Sequence, residues 1–360
     1  MRKPFRIAGL TALVMALFLM SGCGTAKQRG IFTPDLDYFK YTGRIDWSDP
    51  QAPRMWAPGI TVSFAMKDTA CTLFIDDEQR FGENQNYLEI VVDDTLHYRV
   101  QTRGKSDSIT VVNGLAKGEH TVVICKATES LIGYIDFKGV RCAELLPFTV
   151  KETRLIEFIG NSITSGFGND MRYIPCHTGK WFDEHNAWYS YGPIAARELN
   201  AQWVLSSNSG IGMIHSCCDK GYIMPEVYET VTLEPGGAAW AFDTDIPDLV
   251  TICLGQNDGI QDSAKMVDGY MAFLETVRKH YPAVPVICLS SPMANEELQV
   301  YQKMILRTVN DLSLQKGDSL VYSYNFSKQW VGGCDAHPTI EEDEEIAAEL
   351  TAFIRHTLGW

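Results

Sequence analysis

Hydrophobic and polar residues alternate along the chain from residue 41 to about residue 148. The runs at residues 61–66, 88–92 and 120–125 place apolar side chains at every second position, which is the period of a half-buried strand. Turn pairs such as Asn113-Gly114 separate these runs. No long helical period occurs among them. The pattern predicts an all-β sandwich of the jelly-roll kind over residues 41–148.

The pattern changes after Pro147. The run at residues 155–160 indicates a strand that ends in a glycine turn, and the mostly apolar runs at residues 249–255 and 284–289 indicate buried strands. Stretches with an apolar residue every three or four positions lie between them. Strands that alternate with helices predict a parallel sheet with helices on both faces. We therefore expect an α/β domain over residues 149–360, with its site at the carboxyl ends of the strands.

The first residues have the layout of an export signal. A basic start precedes an apolar stretch at residues 7–20, and two small residues precede Cys23. This layout resembles a bacterial lipoprotein signal, and the resemblance implies that Cys23 carries a lipid that anchors the protein to the bacterial cell envelope, on its periplasmic face or at the cell surface. A plain signal peptide is the alternative. We expect a signal over residues 1–23 and a tether over residues 24–40.

Composition narrows the classes of partner. The formal net charge is −14, and such a surface repels phosphate backbones, so nucleic acid is not an expected partner. Ten cysteines occur without a C-x-x-C pair or a zinc spacing. Five possible metal ligands lie near one another in the sequence: Cys176, His177, Asp183, Glu184 and His185. Their spacing fits no common site, and we expect no metal and no organic cofactor.

Four short segments carry candidate chemistry, each after a predicted strand or before the last helix. They are Gly160-Asn161-Ser162, Ser209-Gly210, Gly255-Gln256-Asn257 and Asp335-Ala336-His337. Serine is a weak nucleophile that needs a base, and His337 can take its proton and return it. Asp335 can hold the imidazole in the required tautomer. Taken singly, each segment has an ordinary interpretation as a helix cap, a turn or a structural histidine.

The order of these segments resembles that of SGNH (GDSL-type) hydrolases, in which Ser162, Gly210, Asn257 and His337 match the four letters. The resemblance implies a three-layer α/β/α domain with Ser162 as nucleophile and His337 as base. It also implies an oxyanion hole made by the N–H groups of Ser162 and Gly210 and the side chain of Asn257, with Gly212 as a substitute for the second donor.

A β-sandwich before such a domain resembles the layout of carbohydrate esterase family 2, and the segments at residues 41–50 and 333–335 resemble that family as well. The family implies an esterase that removes O-acetyl groups from plant polysaccharides such as xylan and glucomannan. Two alternatives stay open. One is an SGNH esterase for a lipid ester, a thioester or acetylated peptidoglycan, and the other is a non-catalytic glycan-binding lipoprotein.

The sequence departs from the SGNH pattern at the histidine. The acid of the class usually lies three residues before it, where this chain has Cys334, and Asp335 lies two residues before it. Some members of carbohydrate esterase family 2 orient the histidine with backbone carbonyls instead. Asp258 is expected to support the Asn257 loop. Three tryptophans can either stack on sugar rings or belong to the core: Trp181, Trp188 and Trp330.

Overall fold

The computed structural model describes residues 28–360. The predicted export signal, Cys23 and the first part of the predicted tether lie outside the described residues. Within residues 28–360, no helix combines the length and the apolar character that crossing a bilayer requires.

Twelve short strands form the first domain. They are β1 (Gly30–Phe32), β2 (Lys40–Thr42), β3 (Ile45–Asp46), β4 (Arg54–Met55), β5 (Thr61–Lys67), β6 (Ala70–Asp77), β7 (Tyr87–Val92), β8 (Leu96–Gln101), β9 (Ser106–Asn113), β10 (Glu119–Lys126), β11 (Ile135–Cys142) and β12 (Leu145–Leu146). One antiparallel sheet has the order β3-β4-β11-β6-β9, with β1 against β11. The other has the order β12-β5-β10-β7-β8, with β2 against β5.

The alternation in β5 shows why these residues form a sandwich. Val62, Phe64 and Met66 are wholly buried, whereas Ser63 and Ala65 between them are partly exposed. Side chains of successive strand residues point to opposite faces, so every second residue enters the space between the two sheets. The predicted all-β sandwich is confirmed.

The second domain alternates strands and helices. Its elements are β13 (Arg154–Gly160), α1 (Ser162–Ser165), α2 (Tyr191–Glu198), β14 (Ala201–Ser207), α3 (Met224–Val227), β15 (Leu249–Cys253), α4 (Ser263–His280), β16 (Val286–Leu289), α5 (Glu296–Gln315), β17 (Val321–Tyr324) and α6 (Ile340–Leu358). The five strands form one parallel sheet in the order β14-β13-β15-β16-β17.

Neighbouring residues of β13 show the three layers. Ile159 packs into the cluster that holds Phe273 of α4 and Leu306 of α5. Phe158 packs into the opposite cluster with Tyr191 of α2 and the buried residues of α6. A strand that is apolar on both faces must be covered on both, and the predicted α/β/α arrangement is confirmed.

A buried arginine joins the two domains. Arg44, between β2 and β3, is 0% exposed, and its Nη2 donates to Oε1 of Glu157 in β13 at 3.0 Å. Its Nε donates to Ser206 Oγ at 2.8 Å, and its Nη1 donates to the carbonyls of Tyr228 and Thr230. The guanidinium of the first domain therefore finds its partners within the second.

Candidate active site

Ser162 lies at the carboxyl edge of the parallel sheet, where β13 ends at Gly160 and α1 begins. The side chain of Asn161 caps that helix, because its Oδ1 accepts the N–H of Ile163 at 3.1 Å. A Cβ on Gly160 would come within 2.0 Å of Thr164 Oγ1, so only glycine lets the helix turn back this tightly. The turn presents the Ser162 hydroxyl beyond the strand end.

His337 reaches the serine from the start of the last helix. Its Nε2 lies 2.8 Å from Ser162 Oγ, and its Nδ1 lies 3.1 Å from the backbone carbonyl of Asp335. A capping box fixes the start of the helix that follows, because Thr339 and Glu342 each accept the other's N–H. An Nδ1–H that donates to the carbonyl leaves Nε2 free to accept the serine proton.

The carboxylate of Asp335 makes no hydrogen bond to the imidazole of His337. This corrects the expectation that the carboxylate is the third catalytic group. Both Asp335 and Ala336 adopt left-handed backbone conformations, with φ of 49° and 57°. The Asp335 carboxylate instead lies 3.8 Å from Nε2 of His177. The backbone of Asp335, through its carbonyl, orients the base.

This geometry predicts that Asp335→Asn keeps kcat within about threefold of the wild type, because asparagine tolerates the left-handed conformation and retains the carbonyl. Loss of the acid in a Ser-His-Asp triad lowers kcat by about 10⁴-fold. Steady-state kinetics on an aryl acetate distinguish the two cases. A loss of a thousandfold or more would return the carboxylate to the catalytic set.

Burial lowers the pKa of His337, and hydrogen bonds to the carbonyls of Asp335 and Cys334 oppose this only in part. Since the neutral imidazole is the form that accepts a proton, it stays competent below the usual histidine pKa of about 6.5. We expect the acid limb of the kcat/KM profile to lie below pH 6.5. Rates on an aryl acetate between pH 4.5 and pH 8 measure it, and an apparent pKa at or above 7 would contradict the burial argument.

A stack of rings covers one side of the base. The ring centroid of Phe167 lies 4.4 Å from that of His337 and 4.3 Å from that of His185. Trp181, whose ring stacks on Phe167 at 6.0 Å, is 47% exposed. Burial drives the pKa of His185 well below its usual value, with Arg99 and His337 adding to the shift, so this imidazole is neutral. Trp181 is thus the tryptophan that faces solvent beside the candidate site.

The other two tryptophans belong to the core, contrary to the interpretation as sugar platforms. Trp188 is 6% exposed and packs edge-on against Trp203. Trp330 is 1% exposed, and its Nε1 donates to Glu345 Oε2 at 2.8 Å. Both lack the free face that stacking on a sugar requires.

A disulfide joins the histidine segment to the loop that carries Trp181. Cys334, at the position where the class usually has its acid, is bonded to Cys176 across 158 residues of sequence. A second disulfide joins the neighbours Cys217 and Cys218. Within residues 28–360, no group of three or more histidine, cysteine or acidic side chains is arranged to hold a metal ion.

The loop after β14 has one amide that is free to bind an anion. Between residues 208 and 215 every backbone N–H donates to an acceptor in the described part of the chain except that of Gly210. The N–H of Gly212 donates to Ser216 Oγ at 3.0 Å, so it does not serve as a substitute. The amide pattern matches the expected role of Gly210 as an oxyanion donor.

Asn257 and Asp258 tie the loop after β15 to the loop after β14. One hydrogen of Asn257 Nδ2 donates to the carbonyl of Ile211 at 2.8 Å, which leaves the second hydrogen for a ligand. The Asp258 carboxylate accepts the N–H groups of residues 213–215 at 2.7 to 3.0 Å. Asp258 therefore supports the loops, in agreement with its expected structural role.

Sequence reasoning missed Phe167, whose ring packs on His337, and it considered His185 only as a metal ligand, whereas its ring packs on the other side of Phe167. It also could not pair Cys176 with Cys334. A partly buried phenylalanine and a buried histidine leave no spacing pattern in the sequence, because only the fold brings them near His337. An odd cysteine at the position of the usual acid was the one visible signal.

A serine nucleophile lies within hydrogen-bond distance of an imidazole at the carboxyl edge of a parallel sheet, and the next loop has a backbone N–H without an acceptor. This arrangement defines a serine hydrolase of the SGNH class. Residues 158–330 match the GDSL-like Lipase/Acylhydrolase family, and residues 41–148 match Carbohydrate esterase 2 N-terminal. The chain thus carries the N-terminal domain of carbohydrate esterase family 2 followed by a GDSL-like hydrolase domain, and the resemblance inferred from the sequence is confirmed.

Known proteins resemble the chain over nearly its whole length. Cellulase/esterase CelE of Acetivibrio thermocellus is 31% identical over 91% of this chain and 41% of the relative, so the chain spans less than half of that protein. An acetylxylan esterase / glucomannan deacetylase of Cellvibrio japonicus is 23% identical over 97% of this chain and 98% of the relative. The structure of a family two carbohydrate esterase from Clostridium thermocellum in complex with cellohexaose has a TM-score of 0.81 and 29% identity, covering 89% of this chain and 99% of that one.

Proposed function

We propose that the protein is a serine esterase that removes O-acetyl groups from plant cell-wall polysaccharides. The observation that carries the proposal is the 2.8 Å contact between Ser162 Oγ and His337 Nε2, with the unpaired amide of Gly210 on the adjoining loop. A nucleophile, its base and an anion donor together support acyl transfer.

The proposed reaction has two halves. His337 takes the proton of Ser162 as Oγ attacks the acetyl carbonyl, and the N–H groups of Ser162 and Gly210 and the Asn257 amide stabilise the oxyanion. His337 then returns the proton to the sugar oxygen, which leaves. Water attacks the acyl-enzyme by the same route and releases acetate.

The substrate class rests on the relatives and on the exposed ring of Trp181 beside the base. The Cellvibrio japonicus relative is an acetylxylan esterase / glucomannan deacetylase, and the Clostridium thermocellum structure holds cellohexaose. Beside the base, the half-exposed face of Trp181 offers a surface on which a sugar ring can stack. Trp181 is therefore the candidate substrate-binding tryptophan.

Acetate release from acetylated xylan and acetylated glucomannan tests the proposal, with protein lacking residues 1–23 and its Ser162→Ala variant. Release by the wild type alone supports the esterase and ranks the two glycans. A series of aryl esters with longer acyl chains distinguishes an acetyl esterase from a lipid esterase, since the activity of an acetyl esterase should fall steeply as the acyl chain grows. Glycan binding without turnover, with aryl acetates also untouched, would favour a non-catalytic glycan-binding protein.

We also propose that the protein is exported and lipid-anchored at Cys23. The basic start, the apolar stretch and the small residues before Cys23 support this. Intact mass of the protein from a bacterial membrane fraction should show a diacylglyceryl-modified Cys23 as the first residue. A mature chain that is soluble and unmodified at Cys23 would support the plain signal peptide instead.

A further inference from the structure

Glu129 carries a carboxylate of the sandwich domain into the second domain. It lies between β10 and β11, and its side chain is wholly buried. Its Oε2 accepts the backbone N–H of Ser209 at 2.8 Å, across 80 residues of sequence. Ser209 directly precedes Gly210, the proposed oxyanion donor. Glu129 therefore accepts a hydrogen bond from the peptide unit next to the one that carries the Gly210 N–H.

We propose that Glu129 is a positioning residue for the oxyanion hole, so that the sandwich domain completes the active site of the hydrolase domain. This rests on the proposed function, because it takes the N–H of Gly210 as an oxyanion donor. Glu129 does not contact the reacting atoms in this scheme. It acts through the backbone of Ser209.

Three consecutive peptide units run from Asn208 to Ile211. The first, which ends in the N–H of Ser209, is held by Glu129. The third is held at both ends, because the Gly210 carbonyl accepts the N–H of Cys217 at 2.9 Å and the N–H of Ile211 donates to the Asn208 carbonyl. The middle unit carries the Gly210 N–H and has no acceptor of its own in the described chain. Its direction is fixed only through its two neighbours.

Gly210 makes this support necessary. Its φ of +78° lies in the left-handed region, and a glycine there has no side chain whose packing would hold the backbone. Without Glu129 the N–H of Ser209 would be buried without an acceptor, which is costly enough to drive a rearrangement of the loop. The middle peptide would then lose its fixed direction, and preorganised donors are worth most when they need no reorientation.

The charge of Glu129 is compatible with this role. Burial raises its pKa, while the hydrogen bonds from Ser209 and the charges of Lys220 and Lys126 act in the opposite direction. The hydrogen bond needs only an acceptor oxygen, which the Glu129 carboxyl supplies to the Ser209 N–H in either protonation state. A glutamine has the same shape and the same acceptor, so it should replace Glu129 in function.

Kinetics of Glu129→Ala and Glu129→Gln on acetylated xylan and an aryl acetate test the proposal. We expect Glu129→Ala to lower kcat by 10- to 100-fold with KM within about threefold, somewhat less than the 10²- to 10³-fold cost of deleting an oxyanion donor outright. Glu129→Gln should stay within threefold of the wild type in both constants. Thermal unfolding of each variant shows that the protein is folded at the assay temperature.

Glu89→Ala is the matched control. Glu89 is also a buried carboxylate of the sandwich domain, and it accepts from Asn186 Nδ2 at 3.0 Å and from the Tyr189 hydroxyl at 3.3 Å, away from the Gly210 loop. We expect this variant to lose stability while its kcat stays within threefold. Equal kcat losses in Glu89→Ala and Glu129→Ala would mean general loosening of the domain contact and would overturn the proposal.

Other outcomes separate this inference from the proposed function. A wild type that is active beside a folded Glu129→Ala of unchanged kcat would sink the positioning role alone. A wild type without esterase activity would instead sink the proposed function. If Glu129→Ala does not fold, Glu129→Asp replaces it, because the side chain shorter by one methylene keeps the acid and falls short of Ser209. A folded Glu129→Asp with wild-type kcat would also overturn the proposal.

Discussion

Ser162→Ala and His337→Ala should each lower kcat for acetate release by at least about 10⁴-fold, and the double variant should be no worse than either one alone. The hydroxyl and the imidazole act as one unit across their 2.8 Å contact, so removing either abolishes the same step. The activity that remains comes from direct attack of water on the ester, with the oxyanion donors stabilising the intermediate. Release of acetate over long incubations measures it.

Ser165→Ala provides the control for this pair of variants. It makes the same substitution in the same short helix, but its hydroxyl bonds to the carbonyl of Asn161 at 3.1 Å and to Ser207 Oγ at 2.9 Å. We expect its kcat to stay near the wild-type value, with about 1 kcal/mol lost from the free energy of unfolding. If the fold-loss of kcat in the double variant equalled the product of the two single losses, Ser162 and His337 would not form one catalytic unit.

Arg44→Met should lower the free energy of unfolding by about 3–5 kcal/mol, because it leaves the carboxylate of Glu157 buried without its cation. The exposed fractions of the two side chains are 0% and 3%, so water cannot replace the lost partner. The substitution also leaves the carbonyls of Tyr228 and Thr230 without the guanidinium donor. Chemical denaturation of the variant and the wild type gives the difference.

Two further variants frame this result. Arg307→Met makes the same change at an exposed pair with Asp311 at 3.9 Å, where a surface ion pair contributes at most about 1 kcal/mol. The double variant Arg44→Met/Glu157→Gln should recover part of the loss, since it leaves no unpaired buried charge. If Arg44→Met lowered the free energy of unfolding no more than Arg307→Met does, the buried ion pair of Arg44 and Glu157 would contribute little to stability.

The sequence predicted the architecture because burial leaves a periodic trace. Val62, Phe64 and Met66 alternate with partly exposed neighbours, and each such run has to lie on a sheet with one buried face. Strand ends then predicted where Ser162 and Asn257 lie, since the carboxyl ends of parallel strands share one edge.

Other features leave no such trace. Two successive left-handed residues turn the Asp335 carboxylate away from the base, and nothing in the segment Asp335-Ala336 signals that conformation. The exposure of Trp181 and the burial of Trp330 depend on which long-range neighbours cover each ring. Arg44 lies in a short segment whose pattern does not indicate burial. Only the contact between the two domains buries it completely.

We expect the activity of a preparation to depend on whether the disulfide between Cys176 and Cys334 has formed. Cys334 lies three residues before the base, and its N–H also donates to the Gly168 carbonyl at 2.9 Å. Thiols stay reduced in a bacterial cytosol and are oxidised in compartments outside it. We therefore expect two batches that differ by the two hydrogens of this one disulfide to differ in specific activity, because in only one of them is the segment before His337 tethered to Cys176.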